Sequence, residues 1–419
     1  MSTCELRYGQ RAFHFEFEAE RFSVLRPAAA DTPPLSPSEV LVELANPYDA
    51  QPLEDIIDFG ESALIVIPGA AHAAGSPTVV PLLVGRLLEC GLKAKDLAII
   101  FATGIYGPMT EGEKRQLITD RIFEGVRTLD HRADDETQMI EIGETSRRNP
   151  IWLNRALTEF THVMLTGAIG FHPVAGFSGG PEILVPGLAS SGTARRTYRL
   201  AGDEERGGQR AGAGRLDGNI VHEEIEEACV MLAPSFLINT ILNADQQITR
   251  AVCGDWRLAH RRGCAEYADE HAVSVSEQRE LVIVSCGGTP RDVNLIRASE
   301  AIEYAQGALA DGGTMIVLAE CAGGFGDTEF LRWFEAADSR ALGVSLCDDY
   351  QVHGQAAWAL LNKAERYDII LVSALPPEQV QTMRMRPAPT LDEAWRLAEG
   401  RDKRGYVIPQ GAETLPVRQ

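Results

Sequence analysis

The sequence lacks a CxxC pair, an apolar run long enough to cross a bilayer and an excess of basic residues, and each absence removes a class of function. Its eight cysteines, at positions 4, 90, 229, 253, 264, 286, 321 and 347, have no short regular spacing, so neither a zinc knuckle nor a disulfide framework is signalled. Several sit in apolar runs, such as Cys90 in PLLVGRLLEC and Cys286 in LVIVSC, which predicts buried free thiols in a reducing compartment. No basic stretch followed by an apolar core opens the chain, so export and insertion both lack a signal and a cytoplasmic location is expected. Against 39 basic residues stand 60 acidic ones, a net charge of −21. Such a field repels phosphate backbones and anionic lipid surfaces, which argues against nucleic acid and membrane as partners. A small anionic substrate would need a locally positive pocket.

What is present is a chain of 419 residues, 45% apolar and 24% charged, longer than a single core usually serves. Apolar β-rich runs alternate with amphipathic stretches, the pattern of parallel sheets covered by helices. The runs ALIVIP (63–68), LAIIFATG (97–104), THVMLTGAIG (161–170) and SFLINTILN (235–243) are expected strands. PTVVPLLVGRLLECG and TEGEKRQLITDRIFEG have helical periodicity, the second with a Thr110 to Glu113 capping box. AVCGDWRLAHRRGCAEYADEHAV (251–273) reads as one long helix leading to a second sheet, in which ELVIVSCGGTP, GTMIVLAEC and YDIILVSAL are the strands. The expected fold is therefore α/β with two domains, 1–273 and 274–419, each a largely parallel sheet flanked by helices, with a cleft between them. Segment 199–214, RLAGDEERGGQRAGAG, is poor in apolar residues and is expected to be a mobile surface loop.

The most informative stretch is GAIGFHPVAGFSGGPEILVPGLAS, 167–190. Its glycines at 176, 179 and 180 permit tight turns and positive φ, and such a turn presents backbone N–H groups to an anion or cofactor beside His172 and Ser178. An ordinary strand-to-helix crossover would look the same. Gly323, Gly324 and Gly326 form a second glycine-rich turn after a strand, but no complete GxGxxG with a later acidic residue accompanies it.

HPVAGFSGG followed by a Pro-Gly pair resembles the signature of the nickel-pincer lactate racemases and related hydroxyacid racemases and epimerases. ATGIYGPMTEGEKRQL, HRADDETQMIEIGETSRRNPIWLNRAL, LDGNIVHEEIEEACVMLAPSFLINTILN and VSCGGTPRDVNLIRASEAIEYAQGAL are similar to family segments and fall in family order. The resemblance spans nearly the whole chain and implies the lactate racemase-like fold. Its functional residues carry over only one by one.

The resemblance places the lysine that carries the pincer nucleotide at Glu182, and a carboxylate cannot form the amide linkage that an amine forms. The nickel-binding histidine falls at Tyr198, and a phenol with a pKa near ~10 is a poor nickel ligand. The covalent nickel-pincer cofactor is thus disfavoured, and the cofactor is otherwise unknown. Of the two acid/base histidines, one matches His172 and the other falls at Tyr106, with Gly107 beside it instead of arginine. The carboxylate-clamping arginine falls at His72, in Gly69-Ala70-Ala71-His72. An ungapped reading of the NLYQxxK segment gives Arg297 for its glutamine and Glu300 for its lysine. These two residues lie three apart on one helix, where a surface ion pair is the plain alternative. Ser178, Gly179 and Gly180 belong to the cofactor loop.

The other groups carry less. His222 reads as a cap or core residue, and His131, His162, His260 and His353 have no constellation around them in the sequence. Lys114 lies on the helix after TGIYGPMT and reads as a surface residue. Three functional readings follow. The first is a lactate racemase-like isomerase of a 2-hydroxy acid or polyol with a rewired site. The second is a nickel-independent acid/base enzyme, a lyase or isomerase, using Tyr106, His172, Glu182 and Tyr198 with Arg297 as an anion contact. The third is a non-catalytic small-molecule-binding homologue.

Overall fold

A computed structural model describes residues 1–28, 32–70, 74–202, 207–348, 351–400 and 403–418. The chain divides into two compact units, one made of Asp31–Ala268 and the other of Met1–Ala30 with Asp269–Gln419.

The 31–268 unit is built on a six-stranded sheet in the order Ile248–Gly254, Phe236–Leu242, His162–Ala168, Ala63–Pro68, Leu97–Ala102 and Arg127–Asp130. All neighbours are parallel except the first pair. The strands from Ala63, Leu97 and Phe236 are buried at every position, which is why they read as unbroken apolar runs rather than as alternation. Helix Ser76–Glu89 buries Val79, Val80, Leu83, Val84 and Leu87 against this sheet's core. The Thr110 and Glu113 capping box forms as expected and opens helix Glu111–Ile118, which stops at Thr119, where φ is +71°.

Two sequence expectations are revised here. Residues 251–254 are not helical: Ile248–Gly254 is a strand, and the helix is Leu258–His271. Asn243 makes the difference, because its Oδ1 accepts from the backbone of Asp245 and Gln247 and turns the chain back antiparallel onto Phe236–Leu242. The helix begins only where Asp255 Oδ1 takes the N–H groups of Arg257 and Leu258. The 199–214 segment is also more ordered than its composition suggests. Residues 203–206 lie outside the described part, but beyond them Gly212 and Gly214 donate to the carbonyls of Val174 and Gly176 at 3.2 and 2.9 Å.

The other unit carries a six-stranded parallel sheet in the order Arg386–Ala388, Asp368–Val372, Leu309–Leu318, Arg279–Ser285, Gly405–Ile408 and Phe22–Val24. The presence of Phe22–Val24 differs from the expected division at 273/274. The hairpin Ser2–Tyr8 with Arg11–Phe17 buries Cys4, Leu6, Tyr8, Phe15 and Phe17 among Leu281, Ile283, Ile316 and Ile370. Nothing local in a strand's sequence says which sheet it will join. Gly323 and Gly324 donate to Val293 and Cys321, and Gly324 and Phe325 accept from Leu295 and Ile296. The second glycine turn therefore seats the start of helix Leu295–Ala305.

Cysteines 4, 229, 253, 264, 286 and 321 are free and buried, and Cys90 is half-buried. No helix among the described residues is long and apolar enough to cross a membrane.

If the opening hairpin is a working part of this core, Leu6→Ala, at a fully buried position, should cost ~2–5 kcal/mol in urea unfolding. Val42→Ala, 58% exposed, should cost less than ~0.5 kcal/mol. Equal effects would mean that the hairpin is dispensable.

Candidate active site

The chain runs from Ala63–Pro68 outward to Leu97–Ala102 and Arg127–Asp130, then crosses back to place His162–Ala168 on the opposite side of Ala63–Pro68. Strand order reverses between these two neighbours, and the crevice outside the carboxyl ends of such strands is where open α/β sheets bind ligands. Segment 167–190 begins there.

Leaving the strand, the chain makes a small hairpin in which Phe171–His172 pairs with Gly176–Phe177. The rings of Phe171 and Phe177 pack at 5.5 Å, and Tyr267 meets Phe171 edge-on at 4.9 Å. Gly176 has φ +90°, and a Cβ there would lie 1.9 Å from the carbonyl oxygen of Arg215. The tip of the hairpin binds the ring of His172: the backbone N–H groups of Val174 and Ala175 donate to Nδ1 at 3.1 and 2.8 Å. With Nδ1 an acceptor, the proton of the neutral ring sits on Nε2. Nε2 faces Glu182 Oε1 at 3.3 Å.

Glu182 stands in a short 3-10 helix, Gly180–Ile183. The same Oε1 accepts from the Tyr198 hydroxyl at 2.7 Å, and the rings of His172 and Tyr198 lie 5.9 Å apart. Tyr198 comes from helix Ser191–Arg199, which Ser190 caps through Thr193 N–H and which buries Thr193, Ala194, Thr197 and Tyr198. Only the phenol donates to this carboxylate oxygen; the His172 ring nitrogen stands 3.3 Å from it outside hydrogen-bond geometry, and Oε2 accepts no hydrogen bond among the described residues. The side chains of His172 and Glu182 are 26% and 16% exposed, so the group is reachable from solvent.

Other expected site residues have different roles. Ser178 donates its hydroxyl to the carbonyl of Ala168 at 2.9 Å. Gly179 and Gly180 have φ +79° and +52°, and a Cβ on Gly180 would come within 2.4 Å of the His260 ring. The N–H of Gly180 points into the protein, to Asn239 Oδ1 at 3.2 Å, rather than toward a ligand. Tyr106 is 59% exposed on the loop after Leu97–Ala102, and Gly104 of that loop donates to Gly187 at 2.9 Å. His72 lies outside the described residues. Arg297 and Glu300 belong to the other unit, in the first two turns of Leu295–Ala305, where Asn294 Oδ1 caps Arg297 N–H. Lys114 is held by Asp130 at 2.7 Å.

A support beneath the turn was not anticipated. Asn239 Nδ2 donates to His260 Nδ1 at 3.0 Å, and His260 Nε2 lies 3.4 Å from Cys264 Sγ. His222 stacks on His260 at 6.3 Å, and Glu226 holds Arg257 and Arg261. His260 thus has the constellation its sequence neighbourhood did not show, and His353 likewise pairs with Asp327. The available signal was Asn239 itself, a polar amide in the apolar run FLINTIL, because a buried amide must find partners. Among the described residues no three His, Cys, Asp or Glu side chains are arranged to hold a metal ion.

Residues 8–207 match the lactate racemase N-terminal domain, and residues 275–415 match the lactate racemase C-terminal domain. The chain belongs to the lactate racemase family. It is 27% identical to the lactate racemase of Thermoanaerobacterium thermosaccharolyticum over 431 residues, covering 99% of each chain. It is 25% identical to that of Lactiplantibacillus plantarum over 423 residues, covering 98% of this chain and 99% of the relative. The apoprotein structure of the Thermoanaerobacterium lactate racemase superposes with a TM-score of 0.91 at 26% identity, covering 99% of this chain and all of the other. A Thermotoga maritima crystal structure shares the fold at a TM-score of 0.70 and 17% identity, covering 92% and 99%. The family's cofactor is a nickel-pincer nucleotide. At the positions that the resemblance gives to its lysine and its nickel ligand, this member has a carboxylate and a phenol already hydrogen-bonded to each other. That pair does not fit a covalently attached pincer.

Two predictions follow from the packing. Gly180→Ala should lower stability by ~1–3 kcal/mol through backbone strain and collision with His260, and an unchanged urea midpoint would remove this role for the glycine. Burial, helped by the charges of His222 and Arg261, pushes His260 down to about 3, and burial pushes His131 down to about 4. Both values lie below the ordinary 6.5, so between about 6.5 and 4 the unfolded chain binds protons that the folded one refuses. Stability is then complete above that window and should fall on acidification, by roughly 1.4 kcal/mol per pH unit for each histidine. A urea midpoint that stays level across that range would contradict it.

Proposed function

We propose that this chain is an isomerase of the lactate racemase type, a racemase or epimerase of a small 2-hydroxy acid or related polyol, whose proton-transferring group is Glu182 rather than a covalently held pincer. The supporting observation is the hydrogen bond from Tyr198 to Glu182 Oε1, with the His172 ring nitrogen 3.3 Å from the same oxygen and Oε2 left available. The anchored oxygen fixes the carboxylate, and the other can take the proton from the carbon beside the substrate's carboxyl group, leaving a planar enediolate that is inverted when a proton returns to its opposite face. His172 stands beside Glu182 with its Nε2 3.3 Å from Oε1. Its Nδ1 is committed to the hairpin, so the ring cannot accept a proton there without losing two backbone bonds. Tyr198 is the donor that orients Glu182 and stands close enough to His172 to line the same site. Family membership supports the reaction class, and the substitution of a carboxylate for an amine supports the change of route.

The decisive measurement is stereochemical turnover of hydroxy acids and polyols in deuterium oxide, followed by NMR. Proton transfer by Glu182 should bring solvent deuterium into the inverted carbon, and Glu182→Gln should lower kcat by about 10²–10⁴-fold. Tyr198→Phe, which removes one donor, should cost about tenfold. Inversion without deuterium would overturn the assignment. So would an intact-mass adduct with stoichiometric nickel on protein made together with the pincer-synthesis proteins.

A further inference from the structure

We infer that the 31–268 unit has a second small-molecule site, separate from Glu182, for a small hydroxylated anion such as a sugar acid or a polyol phosphate. It is a cavity of about 290 Å³ lined by Arg147, Arg148, Asn149, Arg196, Arg199 and Glu224, with Leu200 beside them. Its volume sits at the low end of ligand pockets, enough for one small molecule and too little for a dinucleotide.

The four arginines are not equivalent. Arg147 is taken up by Glu223 and Glu227, and Arg148 pairs with Glu144 at 3.1 Å. Among the described residues, Arg196 and Arg199 form neither an ion pair nor a hydrogen bond. Two uncommitted guanidinium groups on consecutive turns of one helix suit the planar oxygens of a carboxylate or phosphate. In a chain of net charge −21, they make a local exception to the overall field.

Also lining the cavity are acceptors without donors. Glu224 is fully buried, and its Oε1 takes the hydroxyl of Thr145 at 2.8 Å. Its Oε2 lies 3.5 Å from Arg147 Nη1 and accepts no hydrogen bond. Asn149, 6% exposed, spends its amide N–H on Thr197 at 3.2 Å and leaves Oδ1 unpartnered. Orphaned buried acceptors are costly. A bare anion would satisfy the arginines and leave these oxygens as they are. A ligand with an anionic end and hydroxyl groups satisfies both walls, which is why the hydroxylated class is favoured.

The test is isothermal titration of the full chain with gluconate, glycerol 3-phosphate and inorganic phosphate. A saturable component of gluconate or glycerol 3-phosphate binding that survives Glu182→Gln is expected, since gluconate as a 2-hydroxy acid can also enter the candidate active site; the tighter of the two tells whether the anionic end is carboxylate or phosphate. The double change Arg196→Ala with Arg199→Ala, at exposed positions where folding is not at stake, should weaken it by about tenfold or more. Glu182→Gln should leave it unchanged, which separates this site from the candidate active site. The proposal is overturned if neither hydroxylated anion saturates, if the double variant binds like the wild type, if Glu182→Gln removes the binding, or if inorganic phosphate binds as tightly as the hydroxylated anions.

Discussion

Two backbone N–H groups, those of Val174 and Ala175, settle the chemistry of a side chain that neither belongs to. By donating to Nδ1 of His172 they leave the imidazole one proton and one direction in which to use it, toward Glu182. The carboxylate receives its hydrogen bond from Tyr198, on a helix that starts after Ser190. The trio is ordered by the tip of a seven-residue hairpin, 171–177. That tip is itself held from outside, since Gly212 and Asn219 donate to the carbonyl of Val174. A residue with a side chain at 176 would strike Arg215 and move the tip, and with it the proton.

The same logic explains why the turn that follows is rich in glycine without being a cradle for anions. Gly180 is small because His260 fills the space a methyl group would need, and its N–H is spent on Asn239. Asn239 is in turn fixed by His260, and His260 stays neutral because burial makes its charged form expensive. The turn that carries Glu182 is thus positioned by hydrogen bonds through Asn239 and a neutral His260.

Much of this was written in the sequence, unevenly. Buried parallel strands announce themselves as apolar runs, so Ala63–Pro68, Leu97–Ala102 and Phe236–Leu242 were legible at once. Ile248–Gly254 was not, since its alternation is interrupted by Arg250 and its identity depends on a turn made by Asn243. Nothing in the sequence of Phe22–Val24 signals the sheet it joins, and the packing of the opening hairpin is decided by residues some 260 to 390 positions later. At the site, family resemblance picked out His172, Glu182 and Tyr198 separately. Their meeting is a property of three elements in space. Asn239 and His260, 21 apart on a strand and a helix, share no local pattern at all.

Helix Ser191–Arg199 links the two polar regions of its unit. At about 100° per residue, Tyr198 points to one side of the helix while Arg196 and Arg199 point elsewhere, so one rigid element serves Glu182 on one face and the arginine-lined cavity on another. Thr197 joins them from between, buried and bound to Asn149. The last turn therefore answers to both sides. A ligand that draws Arg196 and Arg199 inward acts on the turn that aims the phenol, and a rotation of a few degrees there changes a 2.7 Å hydrogen bond more than it changes the packing of Ala194. The arrangement makes Tyr198, rather than His172, the member of the trio through which the rest of the unit can be felt, because His172 is bound at its own hairpin whereas Tyr198 is carried on the helix that also carries Arg196 and Arg199.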